Sequence, residues 1–243
     1  MVALVTGASR GIGKVIALQL AQDGYDLALV GRDECALGQF KAELLSMGLC
    51  TQQGEGIRAV TIAADLSDIS SCSLVVEKTV EEYGRLDLLV NCAGLSHKGP
   101  FTTVTPEVWD RIFAVNARAP FFICQAALPY LKESEKPVVI NIASVVGFKG
   151  YQDQSVYSSS KHALTGFTKV FAKEVQPLGI RVHLINPGGV ATDMVRQMRP
   201  DIDPEELIQP EEIAEIVHFL VTRKGRSTID QFYIRRYSGL AFD

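Results

Sequence analysis

The stretch Val2-Ala3-Leu4-Val5-Thr6-Gly7-Ala8-Ser9-Arg10-Gly11-Ile12-Gly13 decides the fold. An apolar, β-prone run stops at a cluster of three glycines, and a helical pattern opens at once over 13–22. Glycines at such a junction let the backbone turn tightly and let a phosphate approach the positive end of the following helix. Two familiar phosphate loops do not fit. Gly7 lies one residue too far from Gly13-Lys14 for G-x-x-x-x-G-K-S/T, and Val15 stands where a hydroxyl would hold Mg²⁺. Ile16 occupies the third glycine position of G-x-G-x-x-G. What remains is T-G-x-x-x-G-x-G between a first strand and a first helix.

Outward from this turn, apolar runs at 2–5, 26–30, 59–63, 86–90, 138–142 and 181–185, with a weaker one at 231–234, alternate with helical stretches such as 13–22, 74–83, 106–128 and 156–175. The runs are apolar throughout, as parallel strands buried on both faces should be. The expectation is an α/β fold: a single doubly wound, Rossmann-type parallel sheet of about seven strands with helices on both faces, occupying 1–243 as one domain. Only 188–210, with prolines at 200, 204 and 210, has no strand pattern. A loop of that length is usually functional, and it reads as a cover over a substrate site.

Composition narrows the function. The 243 residues carry a net charge of -4, which argues against a nucleic-acid partner. Five cysteines without C-x-x-C spacing and four histidines without ligand-pair spacing predict no metal site and no disulfide framework, but reduced thiols in the cytoplasm. None of His97, His162, His183 and His218 has a carboxylate or cysteine partner identifiable in the sequence. No basic n-region precedes the first strand, and nowhere do about 18 apolar residues run together without a charge, so neither a signal peptide nor a membrane span is expected.

Further motifs fall at successive strand ends, where open α/β sheets bind ligands. They are Gly31-Arg32, Ala64-Asp65-Leu66, Asn91-Cys92-Ala93-Gly94, Ser144, and Asn186-Pro187-Gly188-Gly189. Tyr157 and Lys161 stand at i and i+4 on one helix face. Seven tyrosines and eleven lysines would give such a pair about 0.3 times by chance, so the pair gains its weight from Ser144 and the glycine turn. Chemistry explains the residue types: reduction of a carbonyl needs hydride on carbon and a proton on the developing alkoxide. A phenol helped by a neighbouring ammonium and a positive nicotinamide can supply that proton, with its pKa expected to fall by about 2–3 units.

Together these segments resemble the short-chain dehydrogenase/reductase family in its short single-domain branch, over nearly the whole chain and weakening only after Gly225. The resemblance implies a catalytic set of Asn116, Ser144, Tyr157 and Lys161. Ser144 would hold the substrate oxygen, Tyr157 would exchange its proton, and Lys161 would bind the nicotinamide ribose. Asn116 would hold a water that relays protons to Lys161. It implies cofactor contacts at Gly7, Ser9, Arg10, Gly11, Ile12, Gly13, Arg32, Asp65, Leu66, Asn91, Ala93, Gly94, Pro187, Gly188 and Thr192, with Tyr157 and Lys161 shared. Within it, Asp65 would meet the adenine amine, Leu66 its ring, and Thr192 the carboxamide. Gly31 occupies the position that is acidic in NAD-preferring relatives, and Arg32 and Arg10 suit a 2′-phosphate, so NADP(H) is expected over NAD(H). Asp33 and Glu34 keep NAD open.

The expected activity is NADP(H)-dependent interconversion of a small or medium carbonyl compound and its secondary alcohol. Substrate choice is expected from Met194, Val195, Met198, Ile202 and Leu207 in the cover and from the loop 94–101. One alternative is 3-oxoacyl-acyl-carrier-protein reductase, which the resemblance suggests, with Lys169 and Lys173 attracting the carrier. The glycine-rich ending of such relatives is replaced here by Asp230-Gln231-Phe232-Tyr233-Ile234-Arg235-Arg236. A second alternative is a catalytically silent NADP(H) sensor or scaffold. The family also implies a homodimer or homotetramer, assembled through 106–128 and 156–175.

Overall fold

The structure is a computed structural model that describes residues 1–198 and 200–239. Seven strands form one wholly parallel sheet: β1 (Val2–Thr6), β2 (Asp26–Gly31), β3 (Ala59–Ala63), β4 (Leu88–Asn91), β5 (Val138–Ile142), β6 (Arg181–Pro187) and β7 (Gln231–Ile234). Their spatial order is β3-β2-β1-β4-β5-β6-β7, so the winding reverses between β1 and β4. That reversal opens a crevice at the carboxyl ends of the strands.

The unbroken apolar runs follow from burial on both faces. In β1, Ala3 and Val5 join the core beneath α1 (Gly11–Gln22), α2 (Glu34–Ser46) and α8 (Pro210–Thr222). Leu4 joins the opposite core, beneath α3 (Ser70–Tyr83), α5 (Ala119–Leu131) and α6 (Ser155–Val175). β2 divides likewise, with Leu27 and Leu29 on one side and Ala28 and Val30 on the other. Period-2 side-chain alternation thus feeds two cores, and no face is left for polar residues.

The stretch expected as one helix over 106–128 is α4 (Pro106–Phe113), a π-turn at Ala114–Arg118, and α5. Pro120 has no N–H to donate to the carbonyl of residue 116, so an unbroken α-ladder is impossible there. The whole stretch Pro106–Leu131 is long and apolar enough by composition to cross a membrane, although charged side chains such as Arg118 interrupt it. Half of its most apolar window is buried, and Ile123, Cys124, Ala127 and Leu131 pack against the sheet.

Other departures are local. β4 begins at Leu88 and not at 86, because the carboxylate of Asp87 turns aside to accept from Val2 N (2.7 Å) and Arg85 (2.7 and 2.9 Å). The segment 188–210 is not structureless: it holds α7 (Asp193–Met198) and a single turn at Pro204–Glu206, pinned by a Val190–Ile208 bridge. His218 does have a carboxylate partner. Its Nδ1 lies 2.7 Å from Asp23 Oδ1, joining α8 to the end of α1 across 195 residues of sequence. β7 is held at the sheet edge by Asn186 Nδ2 donating to Phe232 O (2.9 Å) and by His183 against Ile229 O (2.7 Å).

Candidate active site

The glycine turn is built from close approaches. Gly7 and Gly11 have φ of 72° and 57°, in the left-handed region that favours glycine. A Cβ on Gly13 would lie 2.3 Å from Gly7 O, and one on Gly7 would lie 3.0 Å from the Ala93 backbone. The chain therefore folds tightly enough to aim the first N–H groups of α1 into the crevice, with Arg10 exposed at its N-cap and Ile12 in the first turn. Thr6, which was not singled out in the sequence, locks the two sides of the crevice. Its Oγ1 accepts from Cys92 N (3.0 Å) and Ala93 N (3.1 Å).

At the β2 end, a Cβ on Gly31 would meet Ser9 Oγ at 3.3 Å, so a side chain there requires Ser9 to give by a few tenths of an ångström. Arg32 is exposed beside it. The acidic alternative Asp33 is committed elsewhere, its carboxylate accepting from Ala36 N (2.9 Å) to cap α2. Asp65 Oδ1 accepts from Ser67 N (2.9 Å) and Ser67 Oγ (2.8 Å), bonds that hold its carboxyl below the usual range, with Arg32 and Arg111 adding to the effect. Leu66 is buried in the core beside Val30 and Ile62, which leaves little of it for an adenine ring. Asn91 donates to Asn141 Oδ1 (2.9 Å), and Asn141 to Thr168 Oγ1 (2.9 Å), a buried chain from β4 through β5 to α6. Thr192 reaches the glycine turn from across the crevice: its Cγ2 would lie 3.3 Å from a Cβ on Gly11. Gly188 N donates to Ile234 O (2.7 Å), which fixes the Pro187-Gly188 turn against β7.

Ser144 and Tyr157 line one cavity, and Lys161 lies one turn further along α6. Ser144 lies two residues beyond β5 and caps the turn Val145–Gly147. Its Oγ donates to Pro187 O (3.3 Å) and accepts from Val146 N (3.4 Å), both long bonds. Gly147 brings this turn onto α6, because a Cβ there would stand 2.7 Å from Thr165 Oγ1 and 3.1 Å from Lys161 O. Lys161, 4% exposed, donates from Nζ to Ile142 O (3.0 Å).

Electrostatics differ from the sequence expectation. Burial pushes the Tyr157 phenol above its ordinary range, opposed by a hydrogen bond with Ser144, and Lys161 is not among the groups that lower it. Burial also brings Lys161 down to about 8. The expected lowering therefore rests on the bound cofactor's charge. Asn116 is likewise more committed than expected. Its Oδ1 accepts from Leu95 N (2.8 Å), while Nδ2 donates to Leu95 O (2.8 Å) and Ser160 Oγ (3.0 Å). Ser160 in turn donates to Tyr157 O (2.8 Å). The side chain thus clamps the turn after β4 onto α6, with both amide hydrogens engaged.

A cavity of about 320 Å³ opens beside Ser144 and Tyr157. Met194, Val195, Met198 and Ile202 line it as expected of a cover, but Leu207 packs down on Gly189 and no residue of 94–101 lines it. The other walls were not foreseen: Lys149, Tyr151 and the buried Gln154 ahead of α6, and Tyr233, Arg235 and Arg236 at the end of β7.

The short chain dehydrogenase family profile matches residues 1–203. A 3-oxoacyl-(acyl-carrier-protein) reductase of Staphylococcus aureus is 32% identical over 232 residues, covering 92% of each chain. A metagenomic short-chain oxidoreductase solved in complex with NADP superposes with a TM-score of 0.83 at 32% identity, covering 97% of this chain and 96% of that one. An alcohol dehydrogenase of the archaeon Thermococcus sibiricus, solved with 5-hydroxy-NADP, gives 0.84 at 28% identity, covering 98% and 96%. The chain belongs to the short-chain dehydrogenase family. It is an oxidoreductase of CH–OH and C=O groups that uses a nicotinamide dinucleotide.

Proposed function

We propose that the protein is an NADPH-dependent reductase of a small or medium carbonyl compound, working through Ser144, Tyr157 and Lys161. The observation that carries this reading is the convergence of a serine hydroxyl and a buried phenol on the wall of one cavity, in a chain whose first strand ends in a tight glycine turn. The cofactor, when bound, supplies the hydride. Gly11–Gly13 and the α1 N-terminus hold its phosphates, Thr192 and Lys161 flank its nicotinamide end, and Arg32 with Arg10 receives a 2′-phosphate. The commitment of Asp33 to the α2 cap supports NADP over NAD. Ser144 Oγ donates to the substrate oxygen, and Tyr157, protonated at neutral pH, hands over its hydroxyl proton as charge develops there.

In this reading 1–243 is one domain, and 188–210 is the cover whose α7 lays Met194 and Met198 against the cavity. Exposed Phe121, Phe122 and Val170 on α5 and α6 suit a homodimer or homotetramer, and five unpaired cysteines suit the cytoplasm. A second reading, 3-oxoacyl-acyl-carrier-protein reductase, is favoured by the Staphylococcus aureus relative. NADPH consumption against ketones, aldehydes and an acetoacetyl thioester tests both. Turnover of simple ketones that Tyr157→Phe abolishes supports the first, turnover of the thioester alone supports the second, and substantial turnover by Tyr157→Phe sinks the assigned proton donor.

A further inference from the structure

One polar side chain in the wall of the substrate cavity lacks a partner. Gln154 is 5% exposed and lines the cavity together with Ser144 and Tyr157. Among the described residues its carboxamide makes no hydrogen bond, and its amide atoms are not sealed in the core as the orphaned oxygens of Asn91 and Asn186 are. An amide so deeply placed is costly unless something bonds it. The backbone sets its position. Asp153, with φ of 63°, turns the chain in the left-handed region, and its carbonyl accepts from Gly99 N (2.8 Å). Gln154 is then the N-cap of α6, where serine, threonine, aspartate or asparagine would bond the first N–H groups. The glutamine side chain makes no such bond. Ser158 N donates to Gln154 O (2.8 Å), which closes the first α-turn and sets Tyr157 beside Gln154 on one face. A second cavity, of about 540 Å³ and reaching Lys98 and Pro200, shares Tyr151 and Gln154 with the first. No residue of the 7–13 turn lines either cavity, which ties the amide to the substrate and not to the cofactor phosphates.

We propose that Gln154 is a specificity-determining residue, whose carboxamide hydrogen-bonds a second, uncharged polar group of the substrate while the reacting carbonyl lies at Ser144 and Tyr157. This rests on the reductase reading and narrows its substrate class to carbonyl compounds that carry a hydroxyl or a further carbonyl close by. A carboxamide offers both donor and acceptor without charge, so it serves either group. Residues three apart on a helix have Cβ atoms about 5–6 Å from one another, so the phenol and the amide reach neighbouring atoms of one small molecule. A site built to bond such a group also rejects the analogue without it, because the buried amide is then left unpaired.

The test measures equilibrium binding to the protein–NADP⁺ complex, in which a ketone has no hydride to accept, by ligand-detected NMR titration. The probes are two matched pairs, 4-hydroxy-2-butanone with 2-pentanone and 5-hydroxy-2-pentanone with 2-hexanone. In at least one pair the hydroxy ketone should bind tighter than its alkyl match. That preference should fall roughly 3- to 10-fold in Gln154→Met, the range that one neutral hydrogen bond gives. Gln154→Leu should behave alike. Neither variant should melt lower than wild type, since no bond within the fold is lost. An unchanged preference, no binding of any of the four ketones, or a lower Tm in both variants overturns the proposal, the last because the amide would then be bonded inside the fold. Because the readout is binding, the two readings fail separately. Reduction of ketones with NADPH at an unchanged preference leaves the reductase standing and removes the site. A preference that Gln154→Met abolishes, without NADPH consumption by any of the four, removes the reductase and keeps the site.

Discussion

Gly13→Ala is the most severe test of how the cofactor turn is built. The added Cβ would lie 2.3 Å from Gly7 O and 2.7 Å from Gly7 C, inside the 3.0 Å that real Cβ atoms respect at both. Both obstacles are backbone, so no rotamer change relieves the clash, and either α1 or the 6–9 turn must retreat. Overpacking of this kind costs about 1–3 kcal/mol. The same retreat moves the N–H groups of the first α1 turn off the phosphates. Losing one charge-assisted bond, at roughly 1.5–3 kcal/mol, weakens binding about 10- to 100-fold. Gly166→Ala is the control. Gly166 lies inside α6 with nothing within 4 Å of its would-be Cβ, so alanine should raise stability by about 0.5–1 kcal/mol. For a chain of this size that is roughly 1–4 °C in Tm. NADPH fluorescence titration and thermal unfolding on the three proteins read both quantities. A Gly13→Ala protein that binds NADPH like wild type and melts no lower would refute the close-approach argument, whatever the control does.

Three further outcomes are expected. Arg32→Glu should lower NADPH affinity about 10- to 100-fold and leave NADH affinity the same or better, measured by paired titrations; equal losses for both cofactors would remove Arg32 from the 2′-phosphate. Stability should rise with pH between 7 and 9.5 because of Lys161. Its folded pKa, about 8, lies below the unfolded value of 10.5, so between those values the unfolded chain binds more protons and loses ground as pH rises. The gain over that window is about 2 kcal/mol by denaturant titration, and Lys161→Met should abolish it; an unchanged slope in the variant would mean the amine is not buried as described. Asn116→Ala should lower both Tm and turnover, since it releases the turn at Leu95 from α6, whereas loss of turnover at unchanged Tm and unchanged NADPH affinity would favour the water-relay role over the clamp.

The sheet was legible because its signals are local. Two-sided burial writes itself as apolar runs, and each of the seven shows in the structure within two residues of where it was read. The glycine turn was legible for the same reason: Gly7, Gly11 and Gly13 answer to contacts within the turn and with the neighbouring strand end. The parts that escaped depend on partners far away in sequence. Nothing around Thr6 announces that its hydroxyl gathers two N–H groups from residues 92 and 93, and nothing around His218 points to Asp23. α2 and α8 were passed over for different reasons. The first has its apolar residues at Leu37, Phe40 and Leu44 among many polar ones, and the second is announced mainly by its capping box at Gln209 and Glu212.

The cofactor side and the substrate side of the site are therefore encoded differently. Most groups around the glycine turn lie at or just beyond the end of a strand, so the sheet's own pairing sets the spacing, and a short motif suffices to specify it. The cavity has no such template. Its walls come from the turn after β5, from α7 and from the segment beyond β7, three pieces that meet only because Gly147, Gly188 and Gly189 permit backbone and side chains to close on one another. A residue such as Arg235 can consequently line the cavity from beyond the end of β7, outside every strand register, and a family motif says nothing about it. For the same reason Lys161 alone does not set the phenol: an i, i+4 spacing puts it on the correct helix face, but its Nζ is drawn to Ile142 O, and the groups acting on Tyr157 from within the chain are Ser144 and burial. Spacing along a helix fixes which groups share a neighbourhood, and the hydrogen bonds made from the far strand decide what each can do there.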